Sequence, residues 1–179
     1  MFDTRYGCAH HHTDTAGNIH PCHQSSVIMN NEYMKAALKL ALEAADEGEV
    51  PVGAVIVKDG KIIATGRNRR ETGNNALYHA EIEAIDNACK AVGGWRLNEC
   101  DLYVTMEPCP MCAGAIINAR IKRVYYGAYD QKAGSFGTIA DFNRIPYNHK
   151  PEIYAGIMEE ECVKIVKDFF KSLRDKPKS

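Results

Sequence analysis

No repeating apolar pattern is found from Met1 to Ile28, and helical periodicity sets in from Asn31. Tyr33, Ala37, Leu40, Ala41 and Ala44 fall on one helical face, which predicts an amphipathic helix over Asn31–Glu47 that Gly48 ends. Val52–Val57 is an apolar, β-branched run. Lys58-Asp59-Gly60-Lys61 supplies the Asp-Gly of a tight hairpin, with a returning strand over Ile62–Gly66. Residues 67–78 form a polar loop, and His79–Val92 reads as a second helix closed by Gly93-Gly94. Leu102–Thr105 is a strand that runs into Glu107-Pro108-Cys109. Cys109–Ala119 reads as a third helix and Arg123–Tyr126 as a further strand. A short strand over Ile153–Ala155 and a long helix over Met158–Arg174 complete the pattern. This alternation implies a mixed sheet with helices on both faces, an α/β fold.

The opening segment carries five of the seven histidines, among them His10, His11, His12, His20 and His23, together with Cys8 and Cys22. Such a cluster can bind a metal, but it also reads as a disordered leader, an expression remnant or an upstream start. Residues 1–28 are therefore set apart from one folded domain over 29–179, with Met29 as its start. That length suits one domain and a sizeable core. No apolar run approaches the roughly 20 residues that cross a bilayer, and there is no signal-peptide pattern, so a cytoplasmic location is expected.

The formal net charge of −1 argues against indiscriminate coating of nucleic acid. Charge is uneven, however. Lys164, Lys167, Lys171, Arg174, Lys176 and Lys178 face only Asp168 and Asp175 near the C-terminus, and Arg120, Lys122 and Arg123 form a second basic cluster. Either is a solvated face or a polyanion site.

Two short segments carry chemistry: His79-Ala80-Glu81 and Pro108-Cys109-Pro110-Met111-Cys112. His79, Cys109 and Cys112 are three ligands of the kind zinc prefers, which leaves a tetrahedral ion one open position, as in catalytic sites. A structural site needs a second Cys/His pair, and the remaining histidine of the body, His149, lies in a polar loop. One zinc per subunit is therefore expected, with Glu81 beside the open position as general acid and base. The pattern H-x-E followed by P-C-x-x-C is the general signature of zinc-dependent base deaminases. Both segments fall at a helix N-terminus, where free N–H groups and the helix dipole favour thiolate.

From Asn31 to Arg174 the chain resembles the bacterial tRNA-specific adenosine deaminases of the cytidine deaminase superfamily. The resemblance rests on Glu49-Val50-Pro51-Val52-Gly53-Ala54-Val55, Asn68, His79-Ala80-Glu81-Ile82 and Leu102–Thr105. It continues through Glu107-Pro108-Cys109, Met111–Ala115, Gly127-Ala128, Asp130, Lys132, Asn148-His149 and Asp168-Phe169-Phe170. It implies a three-layer α/β/α sandwich with a mixed sheet of about five strands. It also implies a homodimer that converts adenosine to inosine at the wobble position of a tRNA anticodon loop, with His79, Cys109 and Cys112 on zinc and Glu81 as proton shuttle. Asn68, Tyr78, Ala80, Asn148, His149 and Phe170 would meet the substrate, and the two basic clusters the phosphates. On its own, Asn68 reads equally as a turn residue, and Phe169 and Phe170 as core.

The family usually has Asp-Pro-Thr-Ala before the zinc histidine, whereas this chain has Asn75-Ala76-Leu77-Tyr78. Tyr78 offers a stacking face, narrows the entrance or simply packs. Two rival functions remain: deamination of a free base or nucleoside, as in the guanine deaminases that share the zinc signature, and a non-catalytic zinc-stabilised RNA-binding module.

Overall fold

The computed structural model describes residues 21–175, with side chains from residue 31 onward. Helix α1 (Pro21–Asp46) is followed by strands β1 (Gly53–Lys58) and β2 (Lys61–Arg67), helix α2 (Ala80–Val92) and strand β3 (Cys100–Met106). Helix α3 (Pro110–Asn118), strands β4 (Arg123–Ala128) and β5 (Glu152–Tyr154) and helix α4 (Glu159–Asp175) complete the chain. The strands lie in the order β2-β1-β3-β4-β5, antiparallel between β1 and both its neighbours and parallel from β3 to β5.

Two cores, one on each face, produce the three layers. Ile56, Leu102, Val104, Val124 and Tyr126 pack against Ala80, Ala84 and Ala88 of α2 and Ala113 and Ile116 of α3. Val55, Val57, Tyr103 and Tyr125 face Met34 and Ala37 of α1 and Cys162 of α4. The central strands are buried on both faces, which explains their continuous apolar runs in place of alternation. On the α1 face Tyr33, Tyr103, Tyr125 and Tyr154 form a ladder with ring centroids 5.0, 4.4 and 4.7 Å apart.

The expected elements all form with ends shifted by one or two residues, except that α1 is already helical at Pro21, ahead of the expected Asn31. The additional helix lies in the stretch without apolar periodicity, so pattern alone could not find it. No glycine and no further proline interrupts the run from Pro21 to Asp46. The helix therefore enters the segment set apart as residues 1–28, while Cys8, His10, His11, His12 and His20 lie outside the described residues. The hairpin turn holds Asp59 and Gly60 at positive φ (50° and 72°), as the Asp-Gly pair requires. Among the described residues, no helix is long and apolar enough to cross a membrane.

Gly66 fixes the approach of α2 to the sheet. A Cβ there would lie 2.2 Å from the Ala80 carbonyl oxygen and 2.5 Å from the Ala84 nitrogen, so only glycine admits the helix this closely. We expect Gly66→Ala to destabilise the protein by about 1–3 kcal/mol, the usual cost of overpacking. Gly94→Ala, with nothing within 4 Å of its Cβ, should leave the melting temperature nearly unchanged. Thermal unfolding of both variants by circular dichroism checks this.

Candidate active site

His79 and Cys109 are the N-cap residues of α2 and α3, both with extended backbone and neither using its side chain to cap the helix. Each side chain is therefore free to face outward from a helix end. Pro110 at the start of α3 gives up no hydrogen bond there. Cys112 lies on the first turn of α3, fully buried. The hairpin and β3 thus bring two helix N-termini together, and His79 Nδ1 lies 3.7 Å from Cys109 Sγ and 3.6 Å from Cys112 Sγ.

Those separations suit a metal. A tetrahedral ion with bonds of about 2.3 Å to sulfur and 2.0–2.1 Å to nitrogen holds the two ligand atoms roughly 3.6 Å apart. The ligand atoms of His79, Cys109 and Cys112 all lie within 4.8 Å of one another, and they form the one such cluster among the described residues. Glu81, on the first turn of α2, is 4% exposed and adjoins it.

The electrostatics of the metal-free site are polarised. The Cys112 thiol and then His79 hydrogen-bond Cys109, and these contacts draw its pKa down to about 4 despite burial. His79 is raised, chiefly through its bond to Cys109, and Cys112 is raised, foremost through its bond to Cys109 and by burial. Burial, above all, lifts Glu81 to about 7. A thiolate at neutral pH and a carboxyl group that gains and loses a proton near pH 7 are the properties a metal ligand and a proton shuttle need.

Two buried glutamates support this site, and sequence reasoning gave neither a role. Glu107 accepts from the backbone N–H groups of Asp130 (3.2 Å), Phe136 (3.0 Å) and Thr138 (3.2 Å), and from the Thr138 hydroxyl. It thereby draws residues 130–138 over Pro108, whose carbonyl accepts from the Ser135 N–H at 3.0 Å. Glu49, fully buried, accepts from the Thr72 N–H (2.6 Å), the Glu71 N–H (3.2 Å) and Asn68 Nδ2 (3.2 Å). The available signal was a glutamate inside an otherwise apolar or Pro-containing stretch, at Glu49-Val50-Pro51 and Glu107-Pro108.

The remaining expected residues divide. Asn68 is 7% exposed and next to Arg69, whose N–H donates to the Tyr78 carbonyl at 3.0 Å, so it lies near His79. Ala80 is fully buried against β2 and keeps its backbone at the site. The Tyr78 ring packs on Gly73, with the Arg69 guanidinium 5.4 Å from its centroid, while 39% of the residue stays exposed. Phe169 is buried, whereas Phe170 is exposed and lines a cavity of about 570 Å³ with Lys132, Lys167, Lys171 and Arg174. Asn148 and His149 are not brought to the metal ligands of their own chain. Asn148 Oδ1 accepts from Arg120 at 2.5 Å and His149 Nε2 lies 2.7 Å from the Ile121 carbonyl, both past the far end of α3. That helix spans about 14 Å. The Arg120–Arg123 cluster is there too, and Arg123 is already committed to Asp101 through bonds of 2.7 and 2.8 Å.

A three-layer α/β/α sandwich with two helix N-termini holding His/Cys/Cys beside a buried glutamate is the arrangement of a base deaminase. Residues 28–174 match the MafB19-like deaminase family. The tRNA-specific adenosine deaminase of Bacillus subtilis (strain 168) is 49% identical over 148 residues, covering 82% of this chain and 92% of that protein. A structure from work on A-to-I editing by tRNA:A34 deaminases at the wobble position of transfer RNA is 47% identical. It superposes with a TM-score of 0.73 over 75% of this chain and 98% of that one. The guanine deaminase of Bacillus subtilis is 34% identical, with a TM-score of 0.54 over 83% of this chain and 95% of that one. The chain belongs to the deaminase family, within its tRNA-specific adenosine deaminase branch.

The raised Glu81 has a consequence for the metal-free protein. The unfolded chain releases this proton near 4.5 and the folded chain near 7, so the folded state holds more protons between those values and loses stability as pH rises. We expect Glu81→Gln to remove that loss, and so to stabilise the metal-free protein above pH 7 by about 3 kcal/mol relative to its effect below pH 4.5. Urea unfolding of both proteins in chelator across that range measures it.

Proposed function

We infer that this protein is a zinc-dependent hydrolase that deaminates adenosine to inosine at the wobble position of a tRNA anticodon loop. The chemistry rests on one observation: His79, Cys109 and Cys112 converge at ligand distances next to the buried carboxyl group of Glu81. These three residues would hold zinc, which when bound would supply an activated water as the nucleophile at neutral pH. Glu81 takes the proton released by that water and delivers it first to a ring nitrogen and then to the departing amine, so adenosine and water give inosine and ammonia. Asn68 and the backbone at Ala80 border the space beside these groups and would hold the base. A base in an anticodon loop is already unstacked, which lowers the cost of drawing it into a buried site.

Phe170, Lys132, Lys167, Lys171 and Arg174 support an RNA substrate over a free base. They combine an exposed aromatic face with four cations in one cavity, opposed only by Asp168, which Lys164 already holds at 2.5 Å. Stacking together with phosphate contact is how single-stranded RNA is gripped. The protein would work as a homodimer. Asn148 and His149 lie at the end of α3 remote from their own metal ligands, so a role for them at the substrate requires the site of a second subunit. A tRNA substrate also fits the cytoplasmic location expected from the sequence.

With zinc-loaded protein, we expect inosine and ammonia from an anticodon stem-loop carrying a wobble adenosine, and no ammonia from free guanine or cytidine in parallel. Deamination of guanine with inert RNA would move the protein to the small-molecule class, and no ammonia from any substrate would leave an RNA-binding module. Glu81→Ala should keep its zinc and lose at least about 100-fold in turnover, in line with general acid–base contributions. Near-normal turnover would remove Glu81 from the mechanism. Alanine at Lys132 and Lys171 should raise KM, leave kcat nearly unchanged and lower the salt dependence of binding by roughly one phosphate contact each.

A further inference from the structure

Glu107 is 2% exposed, and only Pro108 separates it from Cys109. Its backbone N–H donates to the Ala128 carbonyl at the end of β4 (2.8 Å), so its own position is set by the sheet. The side chain closes on the loop that follows β4. Oε1 accepts from the Phe136 and Thr138 N–H groups, and Oε2 from the Asp130 N–H and the Thr138 hydroxyl. The loop leaves room for the carboxylate at Gly134, where a Cβ would lie 2.5 Å from Glu107 Cδ. A buried carboxylate with four donors is a stiff fastening, because its loss leaves several N–H groups unpaired.

Lys132 lies on that loop. Its N–H donates to Asp130 Oδ1 at 2.9 Å, while Glu107 holds the Asp130 N–H. The same lysine lines the cavity that α4 supplies with Lys167, Phe170, Lys171 and Arg174. Among the described residues lining it, Lys132 is the one cation that α4 does not carry. Glu107 thus touches the turn that carries this cation and adjoins the segment that carries two metal ligands.

We propose that Glu107 is a positioning residue for RNA: by holding the Asp130–Lys132 turn, it keeps the cationic cavity in register with the Cys109 end of the metal cluster. The proposal rests on the RNA-deaminase reading above and deepens it. A base reaches the reacting groups only if its flanking phosphates are held at the matching distance, so the link between grip and ligands has to be rigid. Glu107-Pro108-Cys109 makes that link in three residues, and the Ser135 N–H on the Pro108 carbonyl (3.0 Å) adds a tie beside it.

Glu107→Gln tests the link selectively. With the glutamine oxygen toward the Phe136 and Thr138 N–H groups, its NH₂ faces the Asp130 N–H, donor against donor, while the Thr138 hydroxyl turns to accept. The change releases the Lys132 end of the loop and spares the other end. It also removes a negative charge, which by itself would tighten the hold on a polyanion, so a weaker hold reports position and not charge. With zinc-loaded protein and the wobble-adenosine stem-loop, we expect KM to rise about 3–10-fold with zinc retained. The slope of log KM against log salt concentration should fall by about 0.7, one single-strand phosphate contact. Lys132→Ala should act alike, and the double variant should be no worse than either single. Gly134→Ala strikes the carboxylate from the loop's side and should reproduce Glu107→Gln, which keeps the test open if one of the two fails to fold. Losses that add in the double variant, an unchanged salt dependence or a fall in zinc content would reduce Glu107 to a fold anchor and overturn the proposal.

Amide exchange gives a readout without RNA. By ¹⁵N-edited NMR of the zinc-loaded protein, the Asp130 and Phe136 amides should both exchange slowly in the parent, and Glu107→Gln should speed Asp130 while Phe136 stays slow. Fast exchange at Asp130 in the parent, or slow exchange there in the variant, would defeat the proposal even where the RNA is deaminated. Selective release, with RNA that the parent itself leaves inert, would instead defeat the RNA reading on which the proposal stands and leave the Glu107 fastening intact.

Discussion

Everything at the site depends on two helices starting within a ligand–ligand distance of each other. His79 Nδ1 can stand 3.6–3.7 Å from both thiols only if α2 and α3 begin at the same edge of the sheet and at the correct depth. Depth is set on one side by Gly66, which lets α2 touch the backbone of β2. On the other side β3 runs straight into α3 through Glu107-Pro108-Cys109, leaving little slack. The mixed sheet serves the same end. With β1 antiparallel to β2 and β3, the hairpin delivers the chain to the edge where β3 ends.

Three buried glutamates ring this point and behave differently because their surroundings differ. Glu49 receives two backbone N–H groups and a carboxamide, which hold it ionised. Glu107 receives three backbone N–H groups and a hydroxyl, which make it the anchor of the loop over α3. Glu81 gains far less compensation for its burial, so it titrates near neutrality. Donor supply thus decides which carboxyl group stays ionised as an anchor and which is free to exchange a proton near neutrality.

The sequence revealed the parts of this arrangement that follow from local chemistry. The Asp-Gly turn, the glycine stops after the first two helices and the Pro-Cys-x-x-Cys helix start each have a short-range cause, and the structure places them where expected. The early start of α1 had no such cause to read, because no apolar stripe marks it. The roles of Glu49 and Glu107 were hidden for a different reason. Their donors come from loops about twenty to thirty residues away, at Asn68–Thr72 and Asp130–Thr138, and only the folded chain brings them together. For Asn148 and His149, the family resemblance implied a substrate role that no local pattern marks, and the fold holds them at the end of α3 opposite the Cys109 and Cys112 of their own chain.

The departure at Asn75–Tyr78 is best understood through what holds Tyr78. Glu83 grips Arg69 at 2.6 Å, Arg69 lies over the Tyr78 ring, and Gly73 leaves room for the ring beneath. A side chain supported in this way keeps one face open without pressing on His79, whose own position comes from the start of α2. The rim can therefore change while the buried floor of ligands and glutamates stays as it is. On the proposed function, Tyr78 beside His79 and Phe170 among its lysines would be the surfaces on which substrate size is decided, with Glu81 acting on whatever base they admit.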